Sequence, residues 1–301
     1  MHYDFVPISK RKPLRWPNGK RLAVMLTNNL EHWDKVKDST KPYYPGGPGI
    51  VGGDLPANVY DNPNFTWREY GQRVGIWRIF DVFDSFGVPS TCTVNAKTAL
   101  ERRDIVDAAL ERGWELVAHN YVQSELLTDF MFDEAKEREV IRETLRVYNE
   151  VVGKPAKGWL SSSLRSTLNT IDIIAEEGLI FITDLLNDDQ PYLVKTRSGK
   201  PMVSIPYTSE VNDFTVFMRQ GMDADGAFKV FKEQFDWLYA ESAKSGRFMN
   251  IGLHPHVIGQ PFRIRALRDF LAYVKQFDDV WFATREEIAE WYLQNHHTHI
   301  G

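Results

Sequence analysis

Short apolar segments alternate with helical patterns along most of this chain, and that alternation restricts the possible folds to a few. The strand-like segments are residues 22–28, 90–94, 114–118, 158–161, 180–185, 202–206, 248–253 and 280–283. The helical patterns are residues 70–86, 105–112, 133–152, 169–177, 224–245, 264–277 and 285–292. Strands that alternate with helices of this length form parallel βαβ units. A series of about seven such units favours a closed barrel, so we predict an α/β chain folded as a distorted (β/α) barrel with about seven parallel strands.

Two segments do not fit this alternation. Residues 1–20 are irregular, and residues 36–66 are rich in Gly, Pro, Asn and Asp. A loop as long as the second segment is usually functional or forms a subunit contact. Because it follows the first strand, we expect it to lie over the mouth of the site. We predict that residues 1–301 form a single domain with these two irregular parts.

The composition excludes several classes of protein. The chain has 301 residues and a formal net charge of -5, which argues against binding to nucleic acid. No apolar run is long enough to cross a membrane, and the N-terminus lacks a signal-peptide pattern. A single cysteine, Cys92, rules out an intramolecular disulfide and a thiolate metal cluster. We therefore expect a cytoplasmic enzyme with a small-molecule substrate and neither a nucleic-acid nor a membrane partner.

Polar side chains follow several of the predicted strands directly. They are Asn29, Glu31, His32 and Trp33 after the first strand, His119 and Gln123 after the third, and then Arg165, Asp184 and His254. Barrel enzymes take their catalytic residues from this rim. Glu31 can act as a general base on water and His254 as a general acid on a leaving group, which is the pairing that amide or ester hydrolysis needs. Either a divalent metal or a set of hydrogen-bond donors would stabilise the oxyanion.

These residues resemble the polysaccharide deacetylase (NodB-like) superfamily, and within it the allantoinase-like and cyclic-imide-hydrolase-like branch. The matching segments are Arg15-Trp16-Pro17 with Gly19, residues 70–78, Gly158-Trp159 with Arg165 and Asn169-Thr170, Asp184 with residues 188–192, residues 206–213, and residues 251–261 with Arg263. The resemblance implies a barrel of the NodB type. It also implies a hydrolase of carbon–nitrogen bonds other than peptide bonds.

The resemblance also assigns site residues. In the sugar deacetylases an Asp-Asp pair ends the first strand and a His-x-x-x-His pair follows the third, whereas this chain has Glu31-His32 and His119 with Gln123. The implied metal ligands are therefore His32 and His119, with glutamine as a poor third ligand for zinc. We expect no tightly bound metal, and a weakly bound divalent ion such as zinc stays open. Arg165 and Asp184 correspond to the residues that orient the base and the histidine.

The predicted reaction is the opening of a small cyclic amide, imide or ureide, for example an allantoin-like ring, with Glu31 as base and His254 as acid. The residues expected to contact the substrate are Asn29, Trp33, Gln123, Tyr207, Glu210 and Asn212. Two alternatives stay open: N-deacetylation of an acetylated sugar or peptidoglycan fragment, and a catalytically inactive small-molecule binder.

Two further expectations concern assembly and the C-terminus. Trp67, Trp77, Trp237, Trp281 and Trp291 offer more apolar bulk than a barrel interior needs, and members of this branch form oligomers, so we expect a homodimer or homotetramer. We expect the histidine-rich tail, with His296, His297 and His299, to be solvated and without a function.

Overall fold

The fold is described from a computed structural model, which covers residues 2–34, 49–52, 55 and 59–300. Most of the predicted loop at residues 36–66 therefore lies outside the described residues. Its last part does not, because a helix begins at Asn62. Asp61 precedes this helix and its carboxylate accepts a hydrogen bond from the Asn64 backbone N–H, while Pro63 lies in the first turn, where its missing N–H costs nothing. The prediction of a loop up to residue 66 was wrong for these residues.

One curled sheet forms the centre of the described structure. Its strands are β1 (Leu22–Leu30), β2 (Thr91–Val94), β3 (Glu115–Ala118), β4 (Gly158–Trp159), β5 (Phe181–Ile182), β6 (Tyr192–Val194), β7 (Met202–Ser204), β8 (Arg247–Leu253) and β9 (Val280–Phe282). The order is β6-β7-β5-β4-β3-β2-β1-β8, and β9 also pairs with β1. β6 is antiparallel to β7, and the other pairings are parallel. The distorted (β/α) barrel is confirmed, with β6 as a strand that the sequence did not predict.

Helices surround the sheet. They are α1 (Asn62–Tyr70), α2 (Ile76–Phe86), α3 (Ala96–Glu101), α4 (Arg103–Glu111), α5 (Glu134–Val152), α6 (Thr170–Glu176), α7 (Ala224–Glu241), α8 (Ile264–Val274) and α9 (Arg285–Asn295). A π-helical turn, Gly71–Gly75, joins α1 to α2. The larger apolar core lies between these helices and the outer face of the sheet. No described helix is both long and apolar enough to cross a membrane.

Alternation along β1 and β8 sorts their side chains between two environments. Leu22, Val24 and Leu26 belong to the core that the helices cover, whereas Ala23 and Met25 belong to a second apolar cluster inside the curl of the sheet. Side chains of a strand point alternately to its two faces. Farther along β1, Thr27 and Asn29 lie on the same face as Met25, and Glu31 follows directly after the end of the strand with the same orientation. The inner face of β8 likewise carries Phe248, Asn250, Gly252 and then His254.

The N-terminal segment closes the end of the barrel that lies opposite these polar residues. Trp16 is buried, packs against Trp281 and Trp291 with ring centroids 5.7 Å and 5.1 Å apart, and donates a hydrogen bond to the Arg247 carbonyl. Trp237, by contrast, is 71% exposed. Trp281, which we counted among the excess apolar residues, therefore packs within the chain. Formation of an oligomer stays a prediction.

The C-terminal histidines do not share one environment. His299 is only 1% exposed, and its ring nitrogens lie 3.0 Å from the Tyr292 hydroxyl and 3.1 Å from Gln190 Oε1. The prediction of a solvated tail was therefore wrong for His299. The tail folds back on α9, so that the imidazole replaces water as the hydrogen-bond partner of these buried groups.

Candidate active site

A cavity of about 190 Å³ opens where the carboxyl ends of the parallel strands meet. Nine of the predicted site residues line it: Asn29, Glu31, Trp33, His119, Gln123, Arg165, Tyr207, Asn212 and His254. They come from segments that are far apart in sequence, and the sheet brings them to one edge. Three other predicted residues, His32, Asp184 and Glu210, do not line this cavity.

Glu31 and His254 face each other across the cavity floor. His254 Nε2 lies 3.6 Å from Glu31 Oε1, and both side chains are largely buried. The Trp33 indole N–H donates to the other carboxylate oxygen of Glu31 at 3.1 Å. Glu31 and His254 were both predicted as site residues, and they form a pair. One carboxylate oxygen of Glu31 faces His254 and the other accepts from Trp33.

Asp213 holds His254 from behind. Its Oδ1 lies 2.7 Å from His254 Nδ1, and its Oδ2 accepts hydrogen bonds from the backbone N–H groups of His254 and Ile258. Asp213 is fully buried. A carboxylate cannot donate, so the His254 Nδ1 atom carries the proton and Nε2 points toward Glu31.

The charges of these groups stabilise one another. Burial disfavours the imidazolium of His254, but the charge and hydrogen bond of Asp213 and the proximity of Glu31 outweigh it and raise the pKa to about 10. Burial also disfavours the Glu31 carboxylate, but the hydrogen bond and charge of His254 outweigh it and lower the pKa to about 2. Near neutral pH the pair is therefore a carboxylate beside an imidazolium.

Asp184 was predicted to orient the catalytic groups, and the structure assigns that contact to Asp213 instead. Asp184 accepts hydrogen bonds from the backbone N–H and the hydroxyl of Ser161, each at 2.6 Å. Burial raises its pKa to about 6. Asp213 lies within residues 206–213, which carry part of the family resemblance, but no strand precedes it directly to mark it as a rim residue.

Tyr207 lies beside the acid–base pair and is held by two amides. Its hydroxyl oxygen accepts from Asn29 Nδ2 at 3.0 Å and from Asn212 Nδ2 at 3.3 Å. A hydroxyl that accepts twice still has its own proton to donate, and burial raises its pKa, so that proton stays in place. Any side chain at Gly252 would collide with the Tyr207 hydroxyl and the Asn212 amide, so this close approach requires glycine.

His119 and Gln123 line the cavity side by side, and each has a buried polar atom without a hydrogen bond of good geometry among the described residues. His119 Nδ1 lies 2.6 Å from the Leu160 carbonyl, which only accepts, so the proton is on Nδ1. Burial lowers the pKa of His119 and keeps the ring neutral. Its Nε2 atom and Gln123 Oε1 are both buried without a hydrogen bond. They are available as acceptors for a ligand.

His32 was predicted as a metal ligand together with His119, and the structure does not bring them together. The parity of β1 turns Glu31 into the cavity and His32 outward, where its ring nitrogens lie 3.3 Å from Asp34 and 3.6 Å from Glu101. No three His, Cys, Asp or Glu side chains of the described residues are grouped to hold a metal ion. The residues present do not fit the implied metal site.

The remaining cavity-lining residues include several that the sequence did not single out. Glu210, which we predicted to contact the substrate, is exposed, and its neighbour Ser209 lines the cavity instead. The missed residues include Arg68, whose guanidinium stacks 4.0 Å over the Trp33 ring, and His256, which packs edge-on against Trp67. Burial lowers the pKa of His256 to about 3, so this second histidine is neutral. Its place two residues after His254, in the turn that follows β8 and within the family-like segment 251–261, is the signal that could have identified it.

Comparison with known proteins identifies similar chains over almost the whole length of this one. The crystal structure of PuuE allantoinase superposes with a TM-score of 0.84 at 32% identity and covers 93% of both chains. The crystal structure of a probable polysaccharide deacetylase from Pseudomonas aeruginosa PAO1 gives a TM-score of 0.83 at 31% identity, over 93% of this chain and 94% of that one. A Schizosaccharomyces pombe protein named "Putative polysaccharide deacetylase" is 27% identical over 307 residues, 93% of each chain. No protein-family model matches the chain.

Proposed function

The chain belongs to the polysaccharide deacetylase family and is a hydrolase of carbon–nitrogen bonds other than peptide bonds, and we propose that it opens a small cyclic amide, imide or ureide. The observation that carries this proposal is the Glu31–His254 pair, 3.6 Å apart and backed by Asp213, on the floor of a small cavity. The pair supplies a base and an acid in the protonation states that ring hydrolysis needs.

The proposed reaction begins with water held between Glu31 and the ring carbonyl. Glu31 accepts a proton as the water oxygen bonds to the carbonyl carbon, and the carbonyl oxygen becomes an oxyanion. The carbon–nitrogen bond then breaks, and His254 gives its Nε2 proton to the leaving nitrogen. Glu31 returns a proton to His254, and the products are one carboxylic acid and one free nitrogen group.

Tyr207 is the proposed donor to the oxyanion. Its hydroxyl accepts from Asn29 and Asn212, so its own proton is directed elsewhere and can reach the cavity. A preorganised donor of this kind stabilises negative charge that develops in the transition state. His119 Nε2 and Gln123 Oε1, as acceptors, suit the N–H groups of an imide or ureide.

A cyclic substrate is favoured by two observations. The cavity of about 190 Å³ is closer in size to a small ring than to a polysaccharide segment. The metal ligands of the sugar deacetylases are also incomplete here, because His32 faces Asp34 and Glu101. N-deacetylation of an acetylated sugar is the second candidate, and the names of two relatives favour it.

A turnover screen tests the proposal. Allantoin, hydantoin, succinimide and glutarimide are compared with N-acetylglucosamine oligomers, using the parent enzyme and Glu31→Gln as the matched control. We expect at least one ring to be opened by the parent, with much slower turnover by the variant. Release of acetate from the sugars without ring opening would support the deacetylase instead. Binding of the rings without any turnover would identify an inactive binder.

A further inference from the structure

The described side chains that line the cavity carry more positive than negative charge. Among the described residues that line it, Glu31 is the one carboxylate, and it already faces the His254 imidazolium. The lining also includes three arginines: Arg68, Arg165 and Arg219. Among the described residues, and without counting Arg68, the two arginines Arg165 and Arg219 with His254 still outnumber the carboxylates of Glu31 and Asp213, which favours a ligand that carries negative charge.

Arg165 reaches the cavity from a loop that is held in an unfavourable conformation. Ser163 and Leu164, directly before it, have φ angles of 55° and 59°, in the left-handed region that residues other than glycine rarely adopt. Asp184 fixes the start of this loop through two hydrogen bonds to Ser161. Strained backbone that neighbouring contacts hold in place is concentrated at functional sites. Here it determines where Arg165 lies.

Arg219 reaches the cavity from a different segment. It ends the π-helical segment Phe214–Arg219, which follows Asp213 directly. Its guanidinium lies 5.7 Å from the centroid of the Phe214 ring, and that ring lies 5.8 Å from the His254 imidazole. The Phe214 ring therefore lies between the second arginine and the acid–base pair.

These two arginines differ from many arginines elsewhere on the molecule. Arg142 is 2.7 Å from Glu177, and Arg197 is 2.8 Å from Glu134. Neither Arg165 nor Arg219 forms an ion pair within the part of the chain that the structure describes. Both are exposed to solvent at the cavity. A guanidinium presents a planar set of donors that matches a carboxylate.

We propose that Arg165 and Arg219 bind a carboxylate on the substrate, so that the preferred ring carries an anionic substituent. This inference rests on the proposed ring-opening function and narrows it to carboxylated cyclic amides, imides or ureides. The reacting carbonyl lies at Glu31 and His254, while the carboxylate lies toward the two arginines. A neutral ring of the same size lacks the second interaction.

A matched pair of probes isolates the charge. Hydantoin-5-acetate and its primary amide have nearly the same shape and differ in charge at neutral pH. We expect the parent enzyme to open the carboxylate with a kcat/KM about tenfold or more above that of the amide at low salt, with a smaller ratio at high salt because the ions screen the interaction. In the double variant Arg165→Gln/Arg219→Gln the ratio falls to about one.

Two controls separate this inference from the function on which it rests. Arg142→Gln removes an arginine on α5 that pairs with Glu177, and we expect it to keep the parent ratio. Calorimetric binding of both probes to Glu31→Gln measures the preference without turnover. Equal kcat/KM for the two probes overturns the anionic substrate but leaves ring opening intact. Tighter binding of the carboxylate, without hydrolysis of any ring by the parent, supports the arginine site and contradicts the proposed function.

Discussion

Two clusters of buried ionisable side chains lie at successive levels inside the barrel, and they differ in what they face. The lower cluster contains Glu115 and Arg285, and the rim cluster contains Glu31, Asp213 and His254. Four of these side chains are less than 10% exposed, and His254 is only slightly more exposed. Residue type and burial alone therefore do not distinguish a functional cluster from a structural one.

The lower cluster has most of its hydrogen bonds within the protein interior, and only Arg285 Nε and Asn250 Nδ2 are buried without a partner among the described residues that form it. Arg285 donates to Thr27, Asn250 and the Ile205 carbonyl, at 2.8 to 3.3 Å. Glu115 accepts from the first backbone N–H groups of α9 and from Thr91. None of these residues is among those that line the cavity at the rim. The cluster ties β1, β3, β8 and α9 together, which is a structural role.

The rim cluster uses similar groups but leaves one side open. Asp213 accepts from His254 Nδ1, and the Trp33 indole donates to one oxygen of Glu31. The other Glu31 oxygen and His254 Nε2 meet at a cavity that a substrate can enter. We infer that the position at the carboxyl ends of the strands, together with an open polar face, distinguishes the proposed catalytic cluster from the structural one.

The largest effect is expected from the rim pair. Glu31→Gln and His254→Ala should each lower kcat on a ring substrate by about a hundredfold or more, because each removes a proton-transfer group. The melting temperature should stay close to that of the parent, since both residues lie at the rim. Near-parent turnover by either folded variant would contradict the proposed mechanism.

The lower cluster should show the opposite pattern. Arg285→Met removes the arginine donor to Thr27 Oγ1 and to the Ile205 carbonyl, and it leaves Asn250 Oδ1 with the Thr27 hydroxyl as its remaining donor. We therefore expect a loss of about 2–4 kcal/mol in the free energy of unfolding. Urea denaturation measures this loss. Turnover per folded molecule should change far less than in His254→Ala. If Arg285→Met instead unfolds at the parent urea concentration but loses turnover, the assignment of a structural role fails.

Asp213→Asn should shift the pH profile with a smaller loss of rate. In the proposed mechanism, turnover needs Glu31 deprotonated and His254 protonated. The lowered pKa of Glu31 and the raised pKa of His254 extend the active range below about 4.3 and above about 6.5, the ordinary values of these groups. Without the Asp213 charge the pKa of His254 falls, so activity is lost at a lower pH than in the parent. An alkaline limb that stays in place would show that Asp213 does not set this pKa.

Asp184→Asn should have the smallest effect and serves as the matched control for Asp213→Asn. Its partner is Ser161 and not His254, so the alkaline limb should keep its position. A loosened Ser161–Arg165 loop should raise KM by only a few fold, about the effect of one weakened hydrogen bond. A shift of the alkaline limb as large as that of Asp213→Asn would restore the role that the sequence predicted for Asp184.

The sequence identified the rim residues whose position follows from a strand. Apolar runs mark where β1 and β8 end, so Glu31 and His254 could be placed at one edge before the structure was known. The same alternation excludes His32 from the cavity that Glu31 lines, because adjacent residues of a strand point to opposite faces. Strand parity alone therefore separates His32 from His119.

Other features could not be predicted because no periodic pattern reports on them. Asp213 lies in an irregular segment, and only the chain path brings it beneath His254. Ser163 and Leu164 adopt left-handed backbone conformations, but neither is a glycine, so their residue types do not indicate this conformation. The burial of His299 depends on a contact with Gln190, which is distant in sequence.

The protonation state of His254 is the most direct test of the proposed acid–base pair with Glu31. Nitrogen-15 NMR of the imidazoles reports the charge on each ring, and His254→Ala, His256→Ala and His119→Ala assign the signals. We expect His254 to stay doubly protonated at pH 8, while the buried rings of His119 and His256 are neutral. A His254 signal that titrates near the ordinary value of about 6.5 or below would contradict the proposed charged acid–base pair.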